Sequence, residues 1–335
     1  MNDLITLAHG SGGEATGRLV AEIVEAYLKN DVIARLDDSA VIPVDGGRMA
    51  LTTDSYVVDP IFFPGGDIGS LSVNGTINDL AMVGARPIAI TLALIIEEGL
   101  ALADLRRILR SVRDSATAAG VQVVGGDTKV VEHGSADRIF INTSGVGTVP
   151  AGVDISSSNA RSGDVVILSG PVGDHGIAIL SKREGIEFET AIESDTAPLN
   201  GLVASMLDAT TAIHAMRDPT RGGLATTLNE IARKSGVAVE IDEAAIPVRP
   251  EVAEACDLLG LDPLVVANEG KLVAFVPEAE SGAVVEAMRR ARYGERAAVI
   301  GRVTSDDPGV VCLNTAVGGQ RILMPLSGEM LPRIC

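Results

Sequence analysis

The chain has 335 residues, a net charge of −18, 46% hydrophobic residues, 2% aromatic residues and no tryptophan. That length allows two domains, and the composition fits α/β interiors built from Ala, Val, Ile and Leu rather than a disulfide-stapled or aromatic-rich β fold. With no basic block to displace counterions, nucleic acid and anionic membranes are excluded as partners, whereas ATP is compatible if a divalent metal bridges carboxylates to phosphates.

From the N-terminus, His9-Gly10-Ser11-Gly12-Gly13 precedes a stretch, Glu14 to Lys29, with Leu19, Ile23, Val24 and Leu28 at helical spacing. A glycine-rich turn feeding a helix can offer backbone N–H groups to an anion, so Gly12 and Gly13 are candidate nucleotide contacts. A flexible loop is the competing reading, and no Walker lysine follows. Apolar strands that end on aspartate are expected at Val32–Asp38, Met49–Asp54 and Val121–Lys129. Between them, Leu71–Met82 reads as a helix carrying Asn74 and Asp79. An aspartate at a strand end is usually a turn former. Gathered in one crevice, such carboxylates favour a hard cation with oxygen ligands.

The longest apolar run, Pro87 to Ile96, is too short for the ~20 residues of a membrane span. Met1–Thr6 lacks the start of a signal peptide, so a cytoplasmic protein is expected. Asp104–Ala119 reads as a helix closed by Gly120, and Arg138–Gly145 as a strand. Ala151–Gly163, rich in Ser, Gly and Asn, reads as a linker or long loop. Beyond it, Val165–Leu168 is a strand running into the glycine-rich loop Gly170–Gly176, and Arg221-Gly222-Gly223 opens a helix to Lys234. Leu264–Phe275 reads as two strands around a tight turn with Glu269 at its tip, and Pro308–Leu326 as strand broken by glycine.

Cys256, Cys312 and Cys335 are odd in number and widely spaced, which argues against a disulfide frame or a zinc site. Cys335 is the last residue, after Pro332, Arg333 and Ile334. Its sulfur is expected at the tip of a mobile peptide that can enter a cleft, react and leave. A frayed end with an accidental cysteine is the alternative.

Four motifs occur in order: Leu36-Asp-Asp-Ser-Ala40, Thr53-Asp-Ser55, Asn78-Asp-Leu-Ala-Met-Val-Gly-Ala85 and Gly125-Gly-Asp-Thr-Lys129. They resemble the ATP-binding superfamily of aminoimidazole ribonucleotide synthetase, the PurM-like proteins, which includes selenophosphate synthetase and thiamine-phosphate kinase. Asp218-Pro-Thr-Arg-Gly-Gly-Leu224 and the final Pro332-Arg-Ile-Cys335 narrow the resemblance to the carbamoyl dehydratases of hydrogenase maturation.

The resemblance covers essentially the whole chain. It implies an α/β (α+β) fold of two PurM-like domains, mixed sheets flanked by helices, and a flexible C-terminal tail. Residues 1–154 would bind ATP and form a homodimer, 155–312 would be the second domain, and 313–335 would be the C-terminal segment and tail. The implied reaction is ATP-dependent dehydration of an S-carboxamide on Cys335 to a thiocyanate, whose cyanide becomes a ligand of the [NiFe]-hydrogenase iron. The carbamoyltransferase HypF would load the thiol, and a HypC–HypD iron scaffold would receive the cyanide.

By the same resemblance, Asp38, Asp79 and Asp127 would hold Mg²⁺, and Asp54 and Asn74 would contact the nucleotide. Lys129 would neutralise charge at the phosphoryl group or amide oxygen, and Glu269 would remove the amide proton. Roles for His9, His133 and His175 stay open. Two rivals are another small-molecule kinase or synthetase of the superfamily and a maturation scaffold that uses ATP only as a switch.

Overall fold

The structure, a computed structural model, describes residues 4–10, 13–28, 30–186, 190–326 and 333–335. After a 3₁₀ turn, Leu7–Gly10, the chain forms α1 (Glu14–Leu19), a π-helical turn (Val20–Val24) and α2 (Glu25–Leu28). The strand expected over Val32–Asp38 is instead a 3₁₀ turn, Ile33–Arg35, with Leu36 in the left-handed region at φ 48°. Five apolar-rich residues make a strand only where another strand can satisfy their backbone groups. The Asp45-Gly46 loop supplies that partner further on, folding β1 (Ala40–Val44) against β2 (Gly47–Tyr56).

A short ribbon, β3 (Phe62–Phe63) and β4 (Gly66–Asp67), leads to α3 (Ile68–Met82). Asp67 starts this helix with a reciprocal capping box. Its Oδ1 accepts from the Gly69 and Ser70 N–H groups, and its own N–H donates to Ser70 Oγ. The rest of the first domain is β5 (Arg86–Glu97), α4 (Leu102–Ala119), β6 (Gln122–Val131) and β7 (Ile139–Val149). Gly120 ends α4 in the left-handed region at φ 73°, as its position suggested. The sheet order is β1-β2-β7-β5-β6, antiparallel except for the β5–β6 pair.

The second sheet collects β8 (Asp164–Leu168), β9 (Ala215–Arg217), β10 (Ala238–Asp242), β11 (Val273–Pro277), β12 (Ala298–Thr304), β13 (Val311–Asn314) and β14 (Gln320–Ile322). Its order is β14-β13-β10-β12-β8-β11-β9, again mixed. Around it lie α5 (Asp174–Glu184), α6 (Asn200–Ala209), α7 (Gly223–Ser235), α8 (Pro250–Leu259) and α9 (Glu278–Arg290). Because β13 spans residue 312 and β14 pairs with β13, a boundary after 312 cuts a strand, and the second sheet continues to Ile322. The stretch 151–163 is loop but no slack linker. Val153, Ile155, Ser156 and Ser157 are buried, and both serines bind the Asp37 carboxylate. The expected strand before Glu269 is a 3₁₀ turn, Pro263–Val265, and only β11 forms after it.

One helix lies between the two domains. Leu80, Ala81 and Met82 of α3 share a core with Leu199, Leu202 and Met206 of the α6 region and with Met216 and Val276 of the second sheet. Hence α3 is buried on nearly every side and carries no polar face to solvent. A Cβ added at Gly75 would lie 2.2 Å from the buried Tyr56 hydroxyl and 3.1 Å from Cζ. Gly75→Ala is therefore expected to cost about 1–3 kcal/mol. Tyr56→Phe in the same chain should recover part of it, because only the oxygen makes the severe clash; denaturant melts of the single and double variants test this. Equal losses in both backgrounds would contradict it.

Candidate active site

Strand alternation points Thr52, Asp54 and Tyr56 of β2 toward α3. There Thr52 Oγ1 donates to Asp79 Oδ2 at 2.9 Å and sits 3.2 Å from the Asp38 carbonyl. On α3, Asn78 lies one turn after Asn74. Its amide donates to the carbonyls of Ala197 and Glu269, and its Oδ1 accepts from the Leu199 N–H. Asn78 thereby ties the helix to the segment that carries Glu269.

Asn268, fully buried, makes the other fixed point. Its Oδ1 accepts from the Gly173 N–H at 2.7 Å, while its amide donates to the carbonyls of Pro219 and Val266. Three glycine-containing loops, 170–176, 218–223 and 266–270, thus meet at one side chain. Gly270 allows this closeness, since a Cβ there would lie 1.8 Å from the Asp195 carbonyl oxygen. The result brings Asp218, Arg221 and Glu269 to the cleft faced by Asp38, Asp54 and Asp79.

These acids crowd one another. Burial pushes the Asp38 carboxyl up to about 6, against the pull of Arg217, whose Nε lies 3.0 Å from Oδ1. Burial and then Asp38 push Asp218 up to about 8. Asp79 is raised well above the usual range by burial, then by Asp218, Asp54 and Asp38. Glu269 is raised well above it too, by burial first, then by Asp218, Asp195 and Asp54, with Arg221 opposing. Glu269 Oε1 and Asn74 Oδ1 are buried without a hydrogen-bond partner.

Among the described residues no three His, Cys, Asp or Glu side chains gather tightly enough to ligate one metal ion unaided. The donor set still fits Mg²⁺ held jointly with phosphates. It is all hard oxygen, its mutual repulsion is of the kind a cation relieves, and Mg²⁺ commonly uses only one or two carboxylates beside a nucleotide. Beside it opens a cavity of about 490 Å³, lined in part by Thr16, Leu36, Arg217, Asp218, Arg221 and Lys234, within the usual size of a ligand pocket.

The end of the chain enters this cleft. Cys335 and Ile334 are buried in a core with Tyr56, Leu71, Ile179 and Ala267. The terminal carboxylate of Cys335 accepts from the Val57 N–H at 3.0 Å, just beyond β2. Burial pushes the Cys335 thiol up to about 12; Arg221 pulls the other way, while Glu269 and Asp54 add to the rise. Cys335 is in turn the largest influence on Arg221, holding it more firmly charged than usual against the effect of burial.

Of the residues expected from sequence, Asp38, Asp54, Asp79, Asn74, Glu269 and Cys335 come together around this cleft. Asp127 and Lys129 do not join them within one chain. They sit exposed on the edge strand β6, paired with each other at 2.8 Å. Asp127 lies opposite Ala93, which lies opposite Asn142. Asn142 bonds Thr53 and Ser55 on the face away from α3. Three strand spacings, ~14 Å, separate Asp127 from β2, and it points to the other side of the sheet.

Gly12 lies outside the described residues. Gly13 is packed against Leu326, whose carbonyl accepts the Glu14 N–H at 3.2 Å, so that N–H is not left open to an anion. His133 is exposed near Glu97 and His9 bonds Thr6, both away from the cleft, whereas His175 touches the tail. Sequence reading singled out neither Arg217 nor Asn268, and it left the role of His175 open. Asp218 and Arg221 were visible only as letters in a family motif.

This geometry is that of a buried acidic cleft with the residues around Cys335 packed into it. Models of the N-terminal and C-terminal domains of AIR synthase related proteins match residues 36–149 and 161–313. The carbamoyl dehydratase HypE of Azotobacter vinelandii is 53% identical over 334 residues, spanning 100% of this chain and 98% of that protein. Two solved structures, a HypE–HypF complex and a HypE bound to ATP, are each 46% identical, with TM-scores of 0.88 and 0.84. They cover 92% and 99% of this chain and 99% and 100% of theirs. The chain belongs to the carbamoyl dehydratase HypE family. Among the described residues no helix is long and apolar enough to cross a membrane.

Proposed function

We propose that the chain uses MgATP to dehydrate a carboxamide carried on the thiol of Cys335. The observation that carries this reading is the burial of Cys335 in the acidic cleft beside Arg221 and Glu269. A thiol pushed up to about 12 stays protonated at neutral pH and is a poor nucleophile. Loading therefore takes place with the tail out of the cleft, on a carbamoyltransferase such as the HypF found with a related protein. The loaded tail then returns as a substrate tethered in cis, at high effective concentration.

In the cleft the carboxamide oxygen attacks the γ-phosphoryl group of ATP and ADP leaves, with one N–H proton lost. Cleavage of the C–O bond then expels phosphate as the second N–H proton departs, leaving a nitrile on sulfur. One carboxamide and one ATP give one thiocyanate, one ADP and one phosphate; the oxygen of the lost water leaves in the phosphate. Asp38, Asp79 and Asp218 are the residues that would hold Mg²⁺, which neutralises phosphate charge when bound. Asp54 and Asn74 adjoin the nucleotide.

Glu269 is the base for the second proton. Without a cation, burial and then the neighbouring acids Asp218, Asp195 and Asp54 hold its carboxyl well above the usual carboxylate range. Positive charge among Asp38, Asp79 and Asp218 would weaken that repulsion, so the base is released only when nucleotide is present. Arg221 supplies the cation for the developing charge on this chain's side of the cleft, the part expected of Lys129.

A homodimer would cover the sheet face and edge that expose Leu51, Ile95, Val124 and Val130, and would set Asp127 and Lys129 against the partner. Cyanide transfer to an iron scaffold such as HypC–HypD, in the cytoplasm, completes the reading.

The test is stoichiometry. Chain preloaded with carboxamide should release one ADP per loaded thiol in a single turnover with MgATP, and unloaded chain none above background. EDTA should reduce release at least a hundredfold. Equal ADP release from loaded and unloaded chain would favour a kinase of a free metabolite instead.

A further inference from the structure

The three residues at the end of the tail are gripped by their main chain. The Val57 and Asp59 N–H groups donate to the terminal carboxylate of Cys335 at 3.0 Å and the carbonyl of Arg333 at 3.2 Å, so the tail lies along the stretch after β2 much as an added strand does. The carbonyl between them, that of Ile334, lies 2.8 Å from His175 Nε2. Arg183 Nη2 donates to the Arg333 carbonyl at 2.8 Å while its Nε donates to the carbonyl of Asp59. The carbonyls of Arg333 and Ile334 and the terminal carboxylate of Cys335 are thus all paired by groups the dehydration chemistry does not use.

On the reading that Cys335 carries the reacting group, we propose that His175 and Arg183 are positioning residues that latch the loaded tail in the cleft by its backbone carbonyls.

Each is itself fixed. His175 is fully buried at the start of α5, edge-on to Phe63 with ring centroids 5.7 Å apart. A carbonyl can only accept, so Nε2 carries the hydrogen and Nδ1 faces Ser194 Oγ at 2.7 Å. Burial, opposed by Asp195, lowers the ring's pKa and favours this neutral form. Arg183 bridges the tail and the Val57–Asp59 stretch at once through the Arg333 and Asp59 carbonyls. The docked tail is not a relaxed end. Arg333 sits at φ 51°, a left-handed conformation a non-glycine residue holds only where its surroundings enforce it. Arg333 Nε meets the Val57 carbonyl at 2.9 Å and its Nη1 pairs with Asp137. Loss of the latch therefore releases a strained turn.

Because loading needs the tail out and dehydration needs it in, weakening the latch must move the two in opposite directions. A side chain that only supports the fold would not do this.

The experiment uses the full chain as wild type, Arg183→Met and His175→Phe, with two readouts. One is alkylation of Cys335 by iodoacetamide under native conditions. The other is single-turnover loss of water from preloaded chain with MgATP. Both variants should raise alkylation about tenfold and lower dehydration about tenfold, with MgATP affinity within about twofold of wild type. His175→Gln, which keeps an N–H at similar reach, should stay within about threefold of wild type on both readouts. Unchanged alkylation, or dehydration that falls without a rise in alkylation, overturns the latch. So does a shared loss of MgATP binding and melting temperature, which marks a folding role. If preloaded wild type loses no water, the dehydration reading fails, and the alkylation readout then decides the latch by itself.

Discussion

Cys335→Ala is expected to leave no carbamoyl adduct on the chain and no detectable ATP-dependent product, a loss of at least a thousandfold. The chain itself should survive the change. Cys335 contributes one small side chain to the edge of a large core, so the cost is about 1 kcal/mol. MgATP should bind as before, since its expected contacts, Asp38, Asp54, Asp79 and Asp218, keep their positions through Thr52, Arg217 and Asn268. Intact protein and its tail peptide, followed by mass and by nucleotide titration, separate these effects. An Ala variant that still yielded product would assign the carrier role to another nucleophile, and Cys256 or Cys312 would be the thiols to examine.

Glu269→Gln is expected to accept the carbamoyl group at the wild-type rate and then stall, with dehydration falling ~10²–10⁴-fold. Gln fits the same space, keeps polar atoms in it and cannot take a proton. The variant also carries a stability signature with a definite sign. Glu269 has a folded pKa well above its unfolded value, so the folded state binds the proton more tightly than the unfolded state does. Its favourable contribution is complete below the unfolded pKa and is lost as pH rises toward the folded pKa. The neighbouring acids lose stability over that rise in both chains, but Glu269→Gln lacks the part due to Glu269, so the melting-temperature difference should favour the variant increasingly as pH rises above the ordinary carboxylate range. A difference that is flat with pH, or of opposite sign, would mean that Glu269 is ionised in the resting cleft.

Much of the candidate site was legible because its chemistry is written in short motifs. Asp38 stands out in Asp37-Asp38-Ser39, Asp79 in the Asn78-Asp79 pair, Glu269 beside Gly270, and Cys335 as a thiol at the chain end. What the motifs lacked was the third dimension. Asp127 reads like Asp54, an acid next to threonine in an apolar strand. Side-chain alternation then sends Asp54 toward α3 and Asp127 to the open face, and no local pattern says which face a helix will cover.

Asp218 and Arg221 needed the fold as well. Their loop is brought to the cleft by Asn268, 49 residues away from Pro219 in sequence. His175 meets Ile334 across 159 residues, a pairing that no spacing rule encodes. At the level of elements, α4 followed from its spacing and the Gly120 cap, and α3 was expected over Leu71–Met82 without the turn that Asp67 starts, but Val32–Asp38 did not become a strand. Apolar and β-branched residues there satisfied a local preference without a neighbouring strand to pair with.

The most direct measurement is the intact mass of the chain and of its Cys335 peptide, before and after incubation with HypF, carbamoyl phosphate and ATP, and again after fresh MgATP. The expected result is the gain of one carbamoyl group on Cys335, followed by the loss of one water only when MgATP is present. A carbamoyl adduct that never loses water, on a chain shown to bind MgATP, would contradict dehydration in this cleft and leave the protein as a carrier.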